Sequence, residues 1–396
     1  MTDEHDGRPA SPSRRRFVGG AIGAAGVLVA GGASGIAIGR ATDDSSTSHA
    51  AAVVPFYGEH QAGIATPAQD RLAFAAFDLT TTDREQVKVL LGTWAAAAAR
   101  MTAGEQIGAV NTAPQAPPID TGEALGLPPA QLTITVGFGP SLFDHRFGLA
   151  RQRPAALADI PPLPGDVLRP GISDGDIGVQ ACSNDPQVAF HAIRNFARLA
   201  RGAAVMRWSQ LGFGRTSSTS TSQETPRNLM GFKDGTNNIK AEDARDFDDF
   251  VWVGPETDQR WMRGGSYLVT RRIRMLIESW DTDYLADQEN VFGRYKNSGA
   301  PFGGTSEFDT VDLGARRPDH DPVVPAGAHI RLASPSLHGG KKILRRGYSF
   351  TDGIDPDTGL LDAGLFFIAY QQDPRKQFVP IQRLLGRHDN LNEYIR

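Results

Sequence analysis

An α+β fold of two ferredoxin-like domains, with antiparallel sheets and peripheral helices, is the architecture predicted by this chain of 396 residues. Three observations carry that expectation. Short apolar segments of strand character alternate with amphipathic helical segments. One strand–helix unit recurs in the second half with the same punctuation. The composition, 40% hydrophobic and 22% charged, is that of a globular protein able to bury a core.

The elements follow in order. The polar run ATDDSSTSHAAAVV, residues 41–54, reads as a linker. RLAFAAFDLT, from Arg71 to Thr80, reads as a buried strand. Thr82 and Glu85 stand at capping-box spacing, and Val87, Leu90, Leu91 and Trp94 fall on one helical face beyond them. QLTITVGFG and GDIGVQACS read as two further strands. Asp185-Pro186 then suits an N-cap and first helical residue, and Val188, Ala192, Phe196 and Leu199 form the apolar stripe. GLFFIAYQQDPRKQF repeats the form of DIGVQACSNDPQVAF, with Ala369, Asp373 and Pro374 spaced as Ala181, Asp185 and Pro186 are. The low-complexity run TSSTSTS, Thr216 to Ser222, suits a connection between the repeats. This divides the chain into a linker-bearing segment 1–52, a first domain 53–222 and a second domain 223–396. GGSYLVTRRIRM and AHIRLAS read as strands of the second.

Net charge and residue usage exclude several classes. A net charge of −4 argues against nucleic acid as a partner. The single cysteine, Cys182, permits no intramolecular disulfide and reads as a small core residue. No close set of Cys and His has zinc-site spacing, and no G-x-G-x-x-G follows a strand. The N-terminus carries SRRRFVGG followed by a Gly/Ala-rich apolar run to about Gly39. A single membrane anchor is one reading, but the glycines make a poor membrane helix. The paired Arg14 and Arg15 ahead of Phe17 are similar to a twin-arginine export signal. That implies passage through the twin-arginine translocase in folded form, and an extracellular or periplasmic location.

GFKDGTNN, Gly231 to Asn238, places Asp234 between glycines. Taken alone it reads as an Asp-Gly turn. Together with GEHQAGI at Gly58, GGSYLVTRRIRM at Gly264, AHIRLASP at Ala328 and ILRRGYSF at Ile343, it resembles the dye-decolourising haem peroxidases, in family order from about residue 57 to the end. The exported subgroup, which includes a bacterial iron-uptake component, is the most similar. The resemblance implies a dimeric α+β barrel-like fold, one haem b per chain, and hydrogen peroxide as oxidant. Dyes, phenolics or other small aromatics would be the reductants, and the protein a homodimer. The alternative it leaves is a deferrochelatase-like protein that releases iron from haem.

A haem peroxidase needs an axial ligand, a group that moves a proton between the peroxide oxygens, and a cation for the developing charge. The resemblance assigns these to His329, Asp234 and Arg345, with Arg346 the alternative for the last. Strand alternation points Arg345 and Arg346 to opposite faces, so only one can serve. Gly235, Thr236 and Asn237 would touch the haem, the two glycines flanking Asp234 letting backbone lie against the porphyrin. Ser334, Pro335 and Ser336 match a haem-lining segment, where the family has Asn first and Arg third. Arg271 and Arg272 could then meet a propionate instead. Phe366 or Phe367 could form an apolar wall, or either could simply pack in the core.

Overall fold

A buried nine-residue run, RLAFAAFDL, forms the strand β1 (Arg71–Leu79), which lies inside the sheet rather than at its edge. The computed structural model describes residues 52–110 and 113–396, so the arginine-led apolar segment and the export signal expected there lie outside the described residues. No described helix is long and apolar enough to cross a membrane.

Eight strands form one antiparallel sheet, in the order β2 (Thr133–Phe138), β3 (Ile177–Ser183), β1, β4 (Ala204–Arg215), β7 (Tyr348–Ile354), β8 (Leu361–Gln371), β5 (Tyr267–Arg274). The two-residue strand β6 (Leu344–Arg345) continues the β7 edge of β8. Four strands precede residue 216 and four follow it. The two sets meet where Phe213 faces Ser349 and Arg215 faces Tyr348. This is the α+β class that the alternating pattern predicts, with the half-sheets continuous. The helices include α1 (Arg84–Thr102), α2 (Pro186–Leu199), α3 (Ala244–Phe250), α4 (Leu285–Phe292), α5 (His329–Leu332) and α6 (Phe378–His388), with a further short helix at Ile277–Trp280.

In the first half, α1 and α2 cover β1 to β3 around Trp94, which meets Phe77 and Phe196 edge-on and donates its indole N–H to the Phe196 carbonyl. The cap of α1 is Asp83 and not Thr82: its carboxylate accepts the Glu85 N–H at 2.8 Å. An anion at the first turn complements the helix dipole, which a threonine cannot do. Asp185 caps α2 as its spacing predicts, accepting from Gln187 and Val188. A second core holds Cys182 with Phe74, Tyr348, Phe350, Phe366, Ile368 and Tyr370.

Two further expectations are corrected. The segment AHIRLAS is no strand: Leu332 N–H bonds to the Ala328 carbonyl and Ala333 N–H to that of His329, closing a helical turn. Its apolar residues alternate, but no neighbouring strand offers it a ladder, so local bonds win. The second Asp-Pro opens a turn, not a helix. The Asp373 carbonyl accepts from both Lys376 and Gln377, and Gln377 Oε1 accepts from Asp373 N–H, so α6 starts only at Phe378. The run from Thr216 to Ser220 connects the half-sheets, as its composition suggests, and is buried throughout. Its hydroxyls replace water: Thr219 Oγ1 accepts from Ala68 N–H and donates to the Thr66 carbonyl, and Ser220 Oγ donates to Glu242.

Arg146 and Asp176 tie β1 to the loop before β3. Arg146 reaches Asp176 through Nη1 at 3.1 Å and Nη2 at 2.8 Å, and Asp176 also accepts the Leu79 N–H at 2.9 Å. Burial pushes the Asp176 carboxyl up, but the Arg146 and Leu79 bonds outweigh it and hold the pKa below the usual carboxylate range. That contribution to stability is present above the unfolded carboxylate value of about 3.9 and is lost as pH falls through the depressed folded value. Arg146→Met leaves a buried charge unpaired. Urea denaturation at pH 7 is expected to show a loss of about 3 kcal/mol, shrinking on acidification as Asp176 protonates.

Candidate active site

The turn that carries His329 follows Gly327, where a Cβ would lie 2.3 Å from Asn390 Oδ1. A side chain at 327 would have to displace the Asn390 carboxamide, and the chain after α6 is held there by the bond from Asn390 N–H to the Gly327 carbonyl. The approach brings Asp389 onto the imidazole: His329 Nδ1 and Asp389 Oδ2 are 2.6 Å apart. A carboxylate partner accepts, so Nδ1 carries the proton, and in the neutral imidazole Nε2 presents its lone pair. Nε2 has no hydrogen-bond partner among the described residues, and 30% of the side chain stays accessible. Asp389 is itself fixed, since Oδ1 accepts the Leu391 N–H at 2.9 Å. Burial pushes the imidazole pKa down, but Asp389 outweighs this by charge and hydrogen bond and raises it. The charges of Asp234 and Arg345 are also felt at His329, the first raising and the second lowering its pKa.

Asp234 and Arg345 form an ion pair, Nη1 to Oδ1 at 2.7 Å. They come from distant segments. The Asp234 N–H is held by the Pro226 carbonyl at 2.9 Å, and Asn228 Nδ2 lies 3.3 Å from Oδ2. Gly231 and Gly235 have φ of +83° and +87°, conformations that disfavour a side chain. A Cβ on Gly235 would come 2.8 Å from Ser217 Cα, and one on Gly231 2.8 Å from Lys296 Cε. The fold of the chain itself therefore favours glycine at both positions, as the Asp-Gly turn reading expects.

Arg345 stands on β6 opposite Ala369 of β8, so the two side chains share a face. Alternation puts Phe367 on that same face and Phe366 on the other, in the core with Phe74 and Trp208. Arg346 takes the opposite side, wholly buried, and donates to Gln69 Oε1 and the Thr66 carbonyl. Arg345, not Arg346, meets Asp234. Ser334 and Pro335 are half-buried just beyond the His329 turn, and Ser336 is exposed, its hydroxyl 2.9 Å from that of Ser334. Thr236 turns its hydroxyl to Glu307, and Asn237 is exposed. Arg271 is committed to Asp166, and Arg272 to Asp352 and Asp362.

Two residues of the cluster escape the sequence reading. Asp389 has no local signal, since it lies 60 residues from His329. Asn238 lies inside the quoted GFKDGTNN and grips the backbone of Arg345. The arrangement fits a haem: an anchored imidazole with an open, unpartnered Nε2, and a carboxylate–guanidinium pair within electrostatic reach.

Comparison with known proteins bears on this cluster directly. The family description "Dyp-type peroxidase, N-terminal" matches residues 61–214, and "Dyp-type peroxidase, C-terminal" matches residues 225–396. The chain belongs to the Dyp-type peroxidase family. It is a haem-dependent oxidoreductase. As a Dyp-type peroxidase it is 38% identical over 403 residues to a deferrochelatase of Yersinia pseudotuberculosis, covering 99% of this chain and 91% of that one. It is 42% identical to ferric DtpA from Streptomyces lividans and to a DyP-type peroxidase from Streptomyces coelicolor, each with a TM-score of 0.80 over 88% of this chain and 92% of the other.

Proposed function

We propose that this Dyp-type peroxidase holds one haem b per chain on His329 Nε2 and uses hydrogen peroxide to oxidise aromatic reductants by single-electron steps. The observation that carries the reading is the 2.7 Å pair of Arg345 and Asp234, found in one chain with an imidazole anchored by Asp389 and open at Nε2. Haem would supply the iron at which the O–O bond is cleaved. Asp234 accepts a proton from one peroxide oxygen and returns it to the other, which leaves as water. Oδ2 suits this, because Oδ1 is engaged by Arg345 while Oδ2 has only the 3.3 Å contact with Asn228. Arg345 donates hydrogen bonds to the oxygen on which negative charge develops. Asp389 holds His329 in the tautomer that offers Nε2. Gly235, Thr236, Asn237, Ser334, Pro335, Ser336 and Phe367 would line the cofactor, within a haem-binding domain 223–396.

Arg345→Leu tests the reading. Haem content is expected to persist, while the second-order reaction with peroxide, followed by stopped-flow, slows by about 100- to 1,000-fold. Wild-type speed would remove Arg345 from the chemistry. Reductants too large to enter would be oxidised at the surface, where Trp261 is 46% exposed while Trp280 is buried. Export by the twin-arginine route and a homodimeric state complete the proposal.

A second reading rests on the relatives named deferrochelatase. An iron-releasing protein accumulates free porphyrin, whereas a peroxidase retains its haem and consumes dye. The Asp234–Arg345 pair favours the peroxidase, because removing iron gives that pair no evident task.

A further inference from the structure

Strand β6 is only two residues long, and its outer edge faces no other strand. A single side chain takes the place of one. Asn238 is more than nine-tenths buried, and its Oδ1 accepts the Arg345 N–H at 2.8 Å. Its Nδ2 donates to the Arg345 carbonyl at 2.8 Å and to the Ser218 carbonyl at 3.1 Å. One carboxamide thus satisfies both backbone groups of Arg345, as a neighbouring peptide would. Ser218 belongs to the buried run that connects the half-sheets, and the same run lies against Gly235 at Ser217 Cα. Three segments meet on this amide: the turn after Asp234, the connection, and β6.

We infer that Asn238 is the positioning residue for Arg345, fixing the strand from which its guanidinium reaches Asp234. The inference rests on the proposed role of Arg345. Aspartate at 238 would turn a second oxygen toward two carbonyls, and alanine would leave the N–H and carbonyl of Arg345 unpaired. With either change β6 loses its outer partner, and the 2.7 Å ion pair loses its fixed base.

Two readouts test it. Amide hydrogen exchange at Arg345, measured on haem-free and haem-loaded protein, is expected to accelerate about tenfold or more in Asn238→Ala. Stopped-flow reaction of the loaded variant with peroxide is expected to slow about tenfold or more, with the oxidation of reductant unchanged. Adding Asn238→Ala to Arg345→Leu should slow the peroxide step no further, because one residue acts through the other. If Asn238→Ala does not fold, Asn238→Ser, which keeps one donor, is read in the same way. Unchanged exchange at Arg345, or losses that multiply in the double variant, would overturn the inference. If Arg345→Leu alone reacts at wild-type speed, the role of Arg345 falls, and the exchange measurement still reports whether Asn238 holds the strand.

Discussion

Asp234→Ala is expected to retain haem and to lose about 100- to 10,000-fold in the rate of reaction with hydrogen peroxide. The loss is large because two things go together. The carboxylate proposed to transfer the proton disappears, and Arg345 loses the acceptor 2.7 Å from its Nη1. Asp234→Asn separates them. The amide keeps the shape and can still accept from Arg345 through its oxygen, but it cannot take up a proton at working pH. If proton transfer dominates, Asn and Ala at this position fail alike. Recovery of most of the rate by Asn would show that Asp234 serves mainly to hold the guanidinium. Stopped-flow traces in the Soret region give these rates without any reductant, so surface oxidation does not enter.

His329→Ala is the second large effect, and it acts on the cofactor rather than on the rate. The imidazole is the open nitrogen donor of the cluster, fixed by Asp389 at 2.6 Å. Its removal is expected to weaken haem retention by more than the roughly 10- to 100-fold that losing an outer-shell partner costs. Asp389→Asn is the milder counterpart. It keeps a hydrogen-bond acceptor for Nδ1 but removes the charge that raises the His329 pKa. Haem should stay bound with an altered absorption spectrum, and a hemin titration of both variants separates ligand loss from ligand tuning.

Much of this was legible in the sequence, for physical reasons that differ by element. Strand β1 and helix α2 were readable because an unbroken apolar run and an Asp-Pro cap are local signals, and local preference agrees with the tertiary environment. Asp234 and Arg345 were readable through their motifs, and strand alternation already separated Arg345 from Arg346. The turn at His329 was misread as a strand because four residues carry no helical period, and only the absence of a pairing partner decides between the two. The serine-rich run is legible as a connection but not as a buried one, because its polar side chains satisfy one another and the backbone and leave no apolar trace. Asp389 leaves no local signal, since it meets His329 across 60 residues and only the chain's path after α6 brings it there. Asn238 was within reach, being three residues past the Asp-Gly pair, but nothing local says whose backbone it binds.

On the proposed reading His329 would hold the haem, and Asp234 and Arg345 would act on the peroxide bound to it. Titration of the purified protein with hemin, followed by one addition of peroxide, tests it most directly in the Soret band. The account predicts saturation at one hemin per chain, an immediate band shift on peroxide, and loss of saturable binding in His329→Ala. Equal binding by that variant, or a wild-type band that peroxide leaves unmoved, would contradict it.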